Sequence, residues 1–283
     1  MRLFLLLIAI IFVFAGQNIV QAQTPAKFRI IIISDNDDTL EISGIRAFDF
    51  MKILENVWLL HQQFAGMSTL YSAMVQNGAE VMYVSGSPDG ALTTKFLTDN
   101  HYPSGPLFHR SKEQVAELLT TENYKVLQIT SIMKEELAKD PNTRFIFVGD
   151  NGQKDPLSYA HLAADPALKD FILGSYIHKL YGDNVATPLQ NGQIPYLSAA
   201  ELALDFHGQN LITPQQLQSV LEDVVNSPRT AVPGFATVTD AEIASLKQKA
   251  DSFPEGEIKN LLNQIVQNES KSCVAQVARV SGK

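Results

Sequence analysis

The feature that most limits how this chain folds is a short apolar run that ends directly in a cluster of aspartates. The run FRIIII occupies residues 28–33, and Asp35 and Asp37 follow it. An unbroken β-branched run is typical of a strand covered on both faces of a parallel sheet. Ligands of open α/β sheets bind beyond the carboxyl ends of such strands. The run therefore predicts a central strand with the two aspartates at the ligand-binding edge.

The spacing of these aspartates suits phosphoryl transfer. In an extended segment residues i and i+2 point the same way, so one carboxylate can attack while its neighbour transfers protons. The pattern D-x-D-x-T is weak alone, because Asp and Asn also form turns and helix caps. Two further apolar runs strengthen it, since Val81–Val84 leads into Ser85 and Phe145–Val148 leads into Gly149-Asp150. We therefore expect three strand ends to converge on one site.

Segments with helical periodicity separate the predicted strands. Helices are predicted at residues 67–74, 91–97 and 126–137, and further strands at residues 106–108 and 171–177. This alternation predicts an α/β fold with a parallel sheet and helices on both faces.

One region interrupts this alternation of strands and helices, and another region follows it. Residues 40–66, with Phe48, Phe50 and Trp58, are expected either to form a small flap over the site or to pack these aromatic side chains in the core. Past residue 180, helices are predicted at residues 198–206, 214–225, 240–252 and 255–267, with a linker at 226–239. We divide the chain into residues 1–22, a core at 23–180 and a helical C-terminal region at 181–283.

The N-terminus has the pattern of a secretory signal peptide. Arg2 precedes an apolar stretch from Leu3 to Ala15, and Val20-Gln21-Ala22 gives a small-x-small cleavage site. The stretch is shorter than the ~20 residues that a spanning helix needs, although an uncleaved anchor remains the alternative. The pattern predicts a secreted or periplasmic protein with no stable membrane span after cleavage.

Charge and cysteine content exclude several classes of function. Cleavage after Ala22 would leave 21 basic and 30 acidic residues, a net charge of −9, because Arg2 is the only charged residue removed. An acidic protein is a poor partner for nucleic acid. Cys273 is the single cysteine, so no intramolecular disulfide forms. The chain has no G-x-S-x-G elbow around Ser85 and no paired histidines, which disfavours serine and zinc hydrolases.

Three groups near the predicted strand ends suit a phosphate and a hard cation. Asp35, Asp150 and Asp155 together are chemically sufficient for Mg²⁺, which takes one or two carboxylates plus phosphate oxygens. Ser85 offers a hydroxyl to phosphate, and Lys125, at the predicted start of the third helix, can neutralise the charge. The alternatives are a surface turn in which Asp155 caps the next helix, and a solvated lysine.

The order of these motifs resembles the haloacid dehalogenase superfamily of phosphatases. More narrowly, residues 28–180 resemble the phosphatidate phosphatase catalytic domain of the actin-patch-protein type. The matching motifs are SDNDDT at 34–39, GMSTLY at 66–71, YVSGSP at 83–88, GPL at 105–107 and VGDNGQKDP at 148–156. Three positions depart from the pattern: Asp89 replaces an aromatic residue, and Asn36 and Asn151 replace Ile and Ser.

The resemblance implies a Rossmann-like core with a small cap, dependence on Mg²⁺ and a set of residue roles. Asp35 is implied as nucleophile, Asp37 as acid and base, and Lys125 as stabilising cation. Substrate binding is implied for Thr39, Ser85, Gly86 and Ser87, and metal binding for Asp35, the Asp37 main-chain carbonyl, Asp150 and Asp155.

The resulting hypothesis is a secreted, Mg²⁺-dependent phosphomonoester phosphatase that forms an aspartyl-phosphate. Phosphatidate or a related bulky phosphoester is the expected substrate, since no large insertion separates Ser85 from Lys125 and the entrance should be open. The alternatives are a broad-specificity soluble phosphomonoesterase and a non-catalytic secreted binding protein on a phosphatase-like core. The sequence identifies no protein partner.

Overall fold

A computed structural model describes residues 28–43, 62–111, 121–182, 184–227 and 235–281, with side chains described up to Glu269. The predicted signal peptide, the aromatic residues at 48, 50 and 58 and most of the predicted flap lie outside the described residues. Removal of residues 1–22 therefore stays a prediction, which the intact mass of the exported protein would test.

The described strands form one parallel sheet of six strands in the order β3-β2-β1-β4-β5-β6. Their bounds are β1 Arg29–Ser34, β2 Glu80–Ser85, β3 Leu107–His109, β4 Thr143–Asp150, β5 Ile172–His178 and β6 Ile194–Tyr196. The first five confirm the predicted strands. The sequence pattern does not predict β6, which has only three residues and contains a proline.

Helices connect the strands and continue after them. Their bounds are α1 Met67–Gln76, α2 Gly90–Asp99, α3 Thr121–Lys139, α4 Asp155–Ala164, α5 Ala199–Gly208, α6 Pro214–Asn226, α7 Asp240–Asp251 and α8 Glu257–Ser281. Each predicted helix is present. The third is longer than predicted, so Lys125 lies a full turn inside α3 instead of at its start.

Side chains of β1 alternate between two apolar cores, one on each face of the sheet. Ile32 belongs to the core formed with α1, α2 and the C-terminal helices. Ile31 and Ile33 belong to the core formed with α3 and α4. All three side chains are fully buried. The predicted α/β architecture, a Rossmann-like parallel sheet with helices on both faces, is therefore confirmed.

The C-terminal region packs directly on the core domain. The Thr69 hydroxyl of α1 donates to the Asp223 carboxylate of α6 over 2.8 Å. Gly66 precedes α1 with φ +81, and a Cβ there would lie 2.7 Å from Val224. Only glycine allows both this backbone conformation and this close approach.

Among the helices of the described residues, none combines the length and the apolar character that crossing a membrane requires.

Candidate active site

The turn after β1 holds both aspartates of the D-x-D-x-T motif at the carboxyl edge of the sheet. The Asp35 N–H donates to the Val148 carbonyl of β4 over 2.9 Å, which ties the turn to the neighbouring strand. The Asn36 carbonyl then accepts the N–H groups of three residues in the turn, Thr39, Leu40 and Glu41, over 2.8–3.2 Å. Asp35 and Asp37 are both buried. Hydrogen bonds between backbone groups therefore hold this turn in its conformation.

Lys125 joins two of the predicted site carboxylates. Its Nζ lies 2.7 Å from Asp35 Oδ1 and also contacts Asp155 Oδ1, and the lysine is only 1% exposed. Burial by itself lowers the pKa of Lys125, but the carboxylates of Asp155 and Asp35 raise it above its ordinary value. Lys125 is therefore a buried cation beside Asp35, and the alternative of a solvated surface lysine is wrong.

Hydroxyl groups contact the two motif aspartates. Thr39 Oγ1 donates to Asp35 Oδ2 over 3.3 Å, and Ser85 Oγ, at the end of β2, donates to Asp37 Oδ2 over the same distance. Burial raises the pKa of Asp37 to about 6, and the Asp38 carboxylate acts in the same direction. A carboxyl group with such a pKa can carry a proton near neutral pH, as a general acid requires.

The turn after β2 lies close to the Ser85 hydroxyl. The Ser87 N–H donates to Ser85 Oγ over 3.0 Å, and Gly86 and Ser87 are half-buried. The structure thus places all four predicted substrate-binding residues at the same edge of the sheet, with Ser85 and Thr39 in direct contact with the aspartates.

Asp35, Asp150 and Asp155 form a buried group of carboxylates that fits a divalent cation. One oxygen of each lies within 4.8 Å of the others. Burial, followed by the charge of Asp155, raises the pKa of both Asp35 and Asp150. Three buried carboxylates held this close together favour binding of a cation, and oxygen ligands suit a hard one.

Of these three carboxylates, Asp150 has the geometry that best suits a ligand of such a cation. Its Oδ1 accepts the N–H groups of Gly152 and Gln153, whereas its Oδ2 is buried with no hydrogen-bond partner. Both oxygens of Asp155 are occupied, by Lys125 and by the Asp150 N–H over 3.2 Å. Asp155 therefore orients Lys125 and the β4 turn, and the orphan oxygen of Asp150 is available to a metal.

Sequence reasoning missed three residues that hold the D-x-D-x-T turn in place. Asp38, in the left-handed region with φ 58, accepts the Ser43 N–H and the Tyr181 hydroxyl, the latter over 2.6 Å. The buried His178 ring places Nδ1 3.2 Å from the Asp38 carbonyl. His178 directly follows the predicted strand at residues 171–177, so its position at this edge was predictable. Tyr181 carries no such signal.

Asn36 and Glu41 form a second buried contact behind the turn. Asn36 Nδ2 donates to Glu41 Oε2 over 3.1 Å, and Glu41 is only 3% exposed. Burial raises the pKa of Glu41 to about 8, and the nearby Asp37 carboxylate adds to the shift. Asn36 departs from the family pattern, and this polar pair gives its side chain a structural partner.

Comparisons with known proteins agree with this geometry. The family model described as "Phosphatidate phosphatase APP1, catalytic domain" matches residues 30–179. Among curated proteins, phosphatidate phosphatase APP1 of Saccharomyces cerevisiae is 30% identical over 148 residues. That match covers 49% of this chain and 24% of the yeast protein. Every predicted site residue lies within the stretch that the family model matches.

Proposed function

Because the chain belongs to the phosphatidate phosphatase APP1 catalytic domain family, and its core is a phosphatase domain of the haloacid dehalogenase type, we propose that it hydrolyses a phosphomonoester through an aspartyl-phosphate. The observation that carries this proposal is the buried arrangement in which Lys125 Nζ lies 2.7 Å from Asp35 and also contacts Asp155. An anionic nucleophile attacks an anionic phosphate only where positive charge is fixed beside both.

In the first step, an Asp35 carboxylate oxygen attacks phosphorus while the bond from phosphorus to the leaving oxygen breaks. Asp37 donates its proton to the leaving alkoxide, so an alcohol departs and the phosphoryl group remains on Asp35. The raised pKa of Asp37, about 6, suits a group that starts this step protonated.

In the second step, water hydrolyses the aspartyl-phosphate. Asp37, now a carboxylate, takes a proton from the water as its oxygen attacks phosphorus. The bond from phosphorus to Asp35 breaks, inorganic phosphate leaves, and both aspartates return to their starting states. Ser85 and Thr39 hold the two carboxylates through their 3.3 Å hydrogen bonds, which fixes the distance between acid and nucleophile.

Asp35 and Asp150 would hold Mg²⁺, and the Asp37 main-chain carbonyl is a predicted further ligand. When bound, the ion supplies charge neutralisation to the phosphate oxygens and the nucleophile. The unpartnered, buried Oδ2 of Asp150 supports this assignment.

Asp150→Asn is expected to weaken metal binding without disturbing the loop, because the amide keeps Oδ1 for Gly152 and Gln153 but lacks the charge. The Mg²⁺ concentration for half-maximal activity should rise at least about tenfold, because changing a group that only orients a metal ligand already costs about 10–100-fold in affinity. Thermal unfolding with and without Mg²⁺ gives a second readout, since a ligand at 100 times its Kd stabilises by about 2.7 kcal/mol. This stabilisation should shrink in Asp150→Asn and persist in the exposed control Asp170→Asn. Equal Mg²⁺ dependence in wild type and Asp150→Asn would contradict the ligand role.

We propose phosphatidate or a related bulky phosphoester as substrate. The name of the yeast relative supports this, although the match covers only 24% of that protein. Removal of residues 1–22 on secretion, as proposed, would leave a net charge of −9. This charge would repel the protein from an anionic bilayer. Moderate salt or Mg²⁺ should therefore raise activity on lipid.

The test compares phosphate release from phosphatidate in mixed micelles with release from soluble sugar and nucleotide monophosphates. Wild type should show Mg²⁺-dependent release that Asp35→Asn lacks, with the highest kcat/KM on the lipid. If the kcat/KM on a soluble monoester is a hundredfold higher than that on phosphatidate, phosphatidate is excluded as the preferred substrate. That ratio corresponds to a difference of about 2.7 kcal/mol in transition-state binding. The chain would then be a broad-specificity soluble phosphomonoesterase.

A further inference from the structure

Tyr181 lies between the two segments that carry the proposed nucleophile and the proposed metal ligand. It follows β5, and its side chain is buried. Its hydroxyl donates over 2.6 Å to Oδ2 of Asp38, in the D-x-D-x-T turn after β1. Its ring packs on Gly152 so closely that a Cβ on this glycine would overlap it. Gly152 belongs to residues 150–154, the Asp150 loop at the end of β4, so one side chain contacts both segments.

The side chain of Asn151 holds the backbone of Tyr181 in this position. Asn151 Oδ1 accepts the N–H groups of Leu180 and Tyr181 over 2.9 and 3.0 Å. Asn151 Nδ2 donates to the Tyr181 carbonyl over 2.8 Å. These three hydrogen bonds need a side chain that both accepts and donates, as an amide does. Since Asn151 is buried and directly follows Asp150, the Asp150 loop determines where Tyr181 lies.

The hydroxyl of Tyr181 acts on the part of the turn that carries the Asp37 carbonyl, a predicted metal ligand. That carbonyl shares a peptide unit with the Asp38 N–H, which donates to the Glu41 carbonyl over 2.7 Å. The Asp38 carboxylate is fully buried and therefore needs hydrogen-bond donors. Tyr181 supplies one at Oδ2, and the N–H and hydroxyl of Ser43 both donate to Oδ1 over 2.9 Å. Tyr181 therefore restrains the Asp37 carbonyl through the adjacent residue.

The ring of Tyr181 acts on the Asp150 carboxylate through Gly152. The Gly152 N–H donates to Asp150 Oδ1, an arrangement that leaves the buried Oδ2 available to a cation. The ring is itself held by an edge-to-face contact with Phe235, with 5.3 Å between the ring centroids. Because this fixed ring lies against Gly152, it limits movement of the peptide that orients Asp150.

We propose that Tyr181 is a positioning residue that couples the D-x-D-x-T turn to the Asp150 loop and so fixes the spacing of the metal ligands. This role rests on the proposed function and on Asp35 and Asp150 as ligands. Loss of a group that orients metal ligands typically costs about 10–100-fold in metal affinity. The family match ends at residue 179, so Tyr181 adds to the matched domain a positioning group from outside it.

Tyr181→Phe tests this role, because it removes the hydroxyl and keeps the ring on Gly152. Calorimetric titration with Mg²⁺, at a temperature at which both proteins are folded, should give a Kd about tenfold or more above that of wild type. Saturating Mg²⁺ should restore most of the phosphate release, since every ligand remains. A purely structural role would lower the unfolding temperature and leave the Mg²⁺ Kd of the folded protein unchanged.

Two variants serve as matched controls. Tyr176→Phe removes another tyrosine hydroxyl that donates to a carboxylate, that of Asp205 in α5, outside the proposed site. Ser43→Ala removes a hydroxyl from the other oxygen of Asp38 and leaves the contacts of Tyr181 intact. Both controls should bind Mg²⁺ as wild type does. Equal weakening in Ser43→Ala and Tyr181→Phe would show that only the number of donors to Asp38 matters, and the coupling role would be overturned.

Asn151→Ser is a second variant, which decides the question if Tyr181→Phe does not fold. Serine is too short to form the three hydrogen bonds to residues 180 and 181, while the Tyr181 hydroxyl and ring remain. The Mg²⁺ Kd should again rise. The double variant should lose less than the product of the two single losses, because both changes disrupt the same coupling. An unchanged Mg²⁺ Kd in every folded variant, or two losses that multiply independently, would overturn the proposal.

Failure of the proposed function gives a different result from failure of this role. If wild type binds Mg²⁺ but releases no phosphate from any monoester tested, the phosphatase proposal fails, and the titrations still decide the role of Tyr181. If wild type binds no Mg²⁺, there is no metal site to position, and the role of Tyr181 is overturned even where phosphate is released.

Discussion

Asp35→Asn is expected to reduce kcat by at least about 10⁴-fold, the scale at which removal of a nucleophile acts. The amide has the shape of the carboxylate but neither its nucleophilicity nor its charge. The fold should persist, because Lys125 keeps its contact with Asp155 and the backbone N–H of residue 35 still donates to Val148. Loss of one charge beside Asp150 and Asp155 also removes repulsion, so the unfolding temperature should be unchanged or higher.

Steady-state release of phosphate and thermal unfolding together check this expectation. Asp170→Asn makes the same chemical change on an exposed residue, whose side chain is 77% exposed, and should retain wild-type activity. In wild type, acid quenching during turnover should trap a phosphorylated peptide that contains Asp35. If Asp35→Asn releases phosphate at a rate within tenfold of wild type, the covalent mechanism is contradicted.

The sheet and most of its helices were predictable because their signals are local. Residues 30–33 are four consecutive β-branched isoleucines, and the structure fully buries the last three of them in the central strand β1. Polar clusters after three apolar runs predicted where side chains would converge, since carboxyl ends of parallel strands meet at one edge. Convergence of Asp35, Ser85 and Asp150 follows from this topology alone.

Features that depend on long-range packing were not predictable from local patterns. A lysine in a helix is most often solvated, and only the fold shows that Lys125 is buried between Asp35 and Asp155. The strand β6 has three residues, and its pairing with β5 gives it its conformation. The hydrogen bond from Tyr181 to Asp38 joins residues 143 positions apart, so no window of sequence contains its pattern.

The C-terminal region contributes a contact to the D-x-D-x-T turn of the core domain. The family match contains every predicted site residue, yet Tyr181, which lies beyond the match, donates a hydrogen bond to Asp38 in the D-x-D-x-T turn. A truncation before residue 181 would therefore remove this hydrogen bond to the D-x-D-x-T turn.

Asp37→Asn is expected to reduce kcat on alkyl phosphates by about 10²–10⁴-fold, the contribution of a positioned general acid. Asn keeps the contact with Ser85 Oγ but cannot deliver a proton to the leaving oxygen. Since a good leaving group needs no proton, formation of the aspartyl-phosphate should be partly rescued with an aryl phosphate such as 4-nitrophenyl phosphate. Hydrolysis of the intermediate should stay slow, because the same residue activates water.

Rapid-quench kinetics distinguish the two steps. With 4-nitrophenyl phosphate, Asp37→Asn should give a burst of nitrophenol equal to the enzyme concentration, followed by slow turnover, whereas Asp170→Asn should behave as wild type. The alkyl substrate should give no burst in Asp37→Asn. Equal slowing of aryl and alkyl substrates in the first step would show that Asp37 does not protonate the leaving group, and the acid role would then have to pass to another residue of the site.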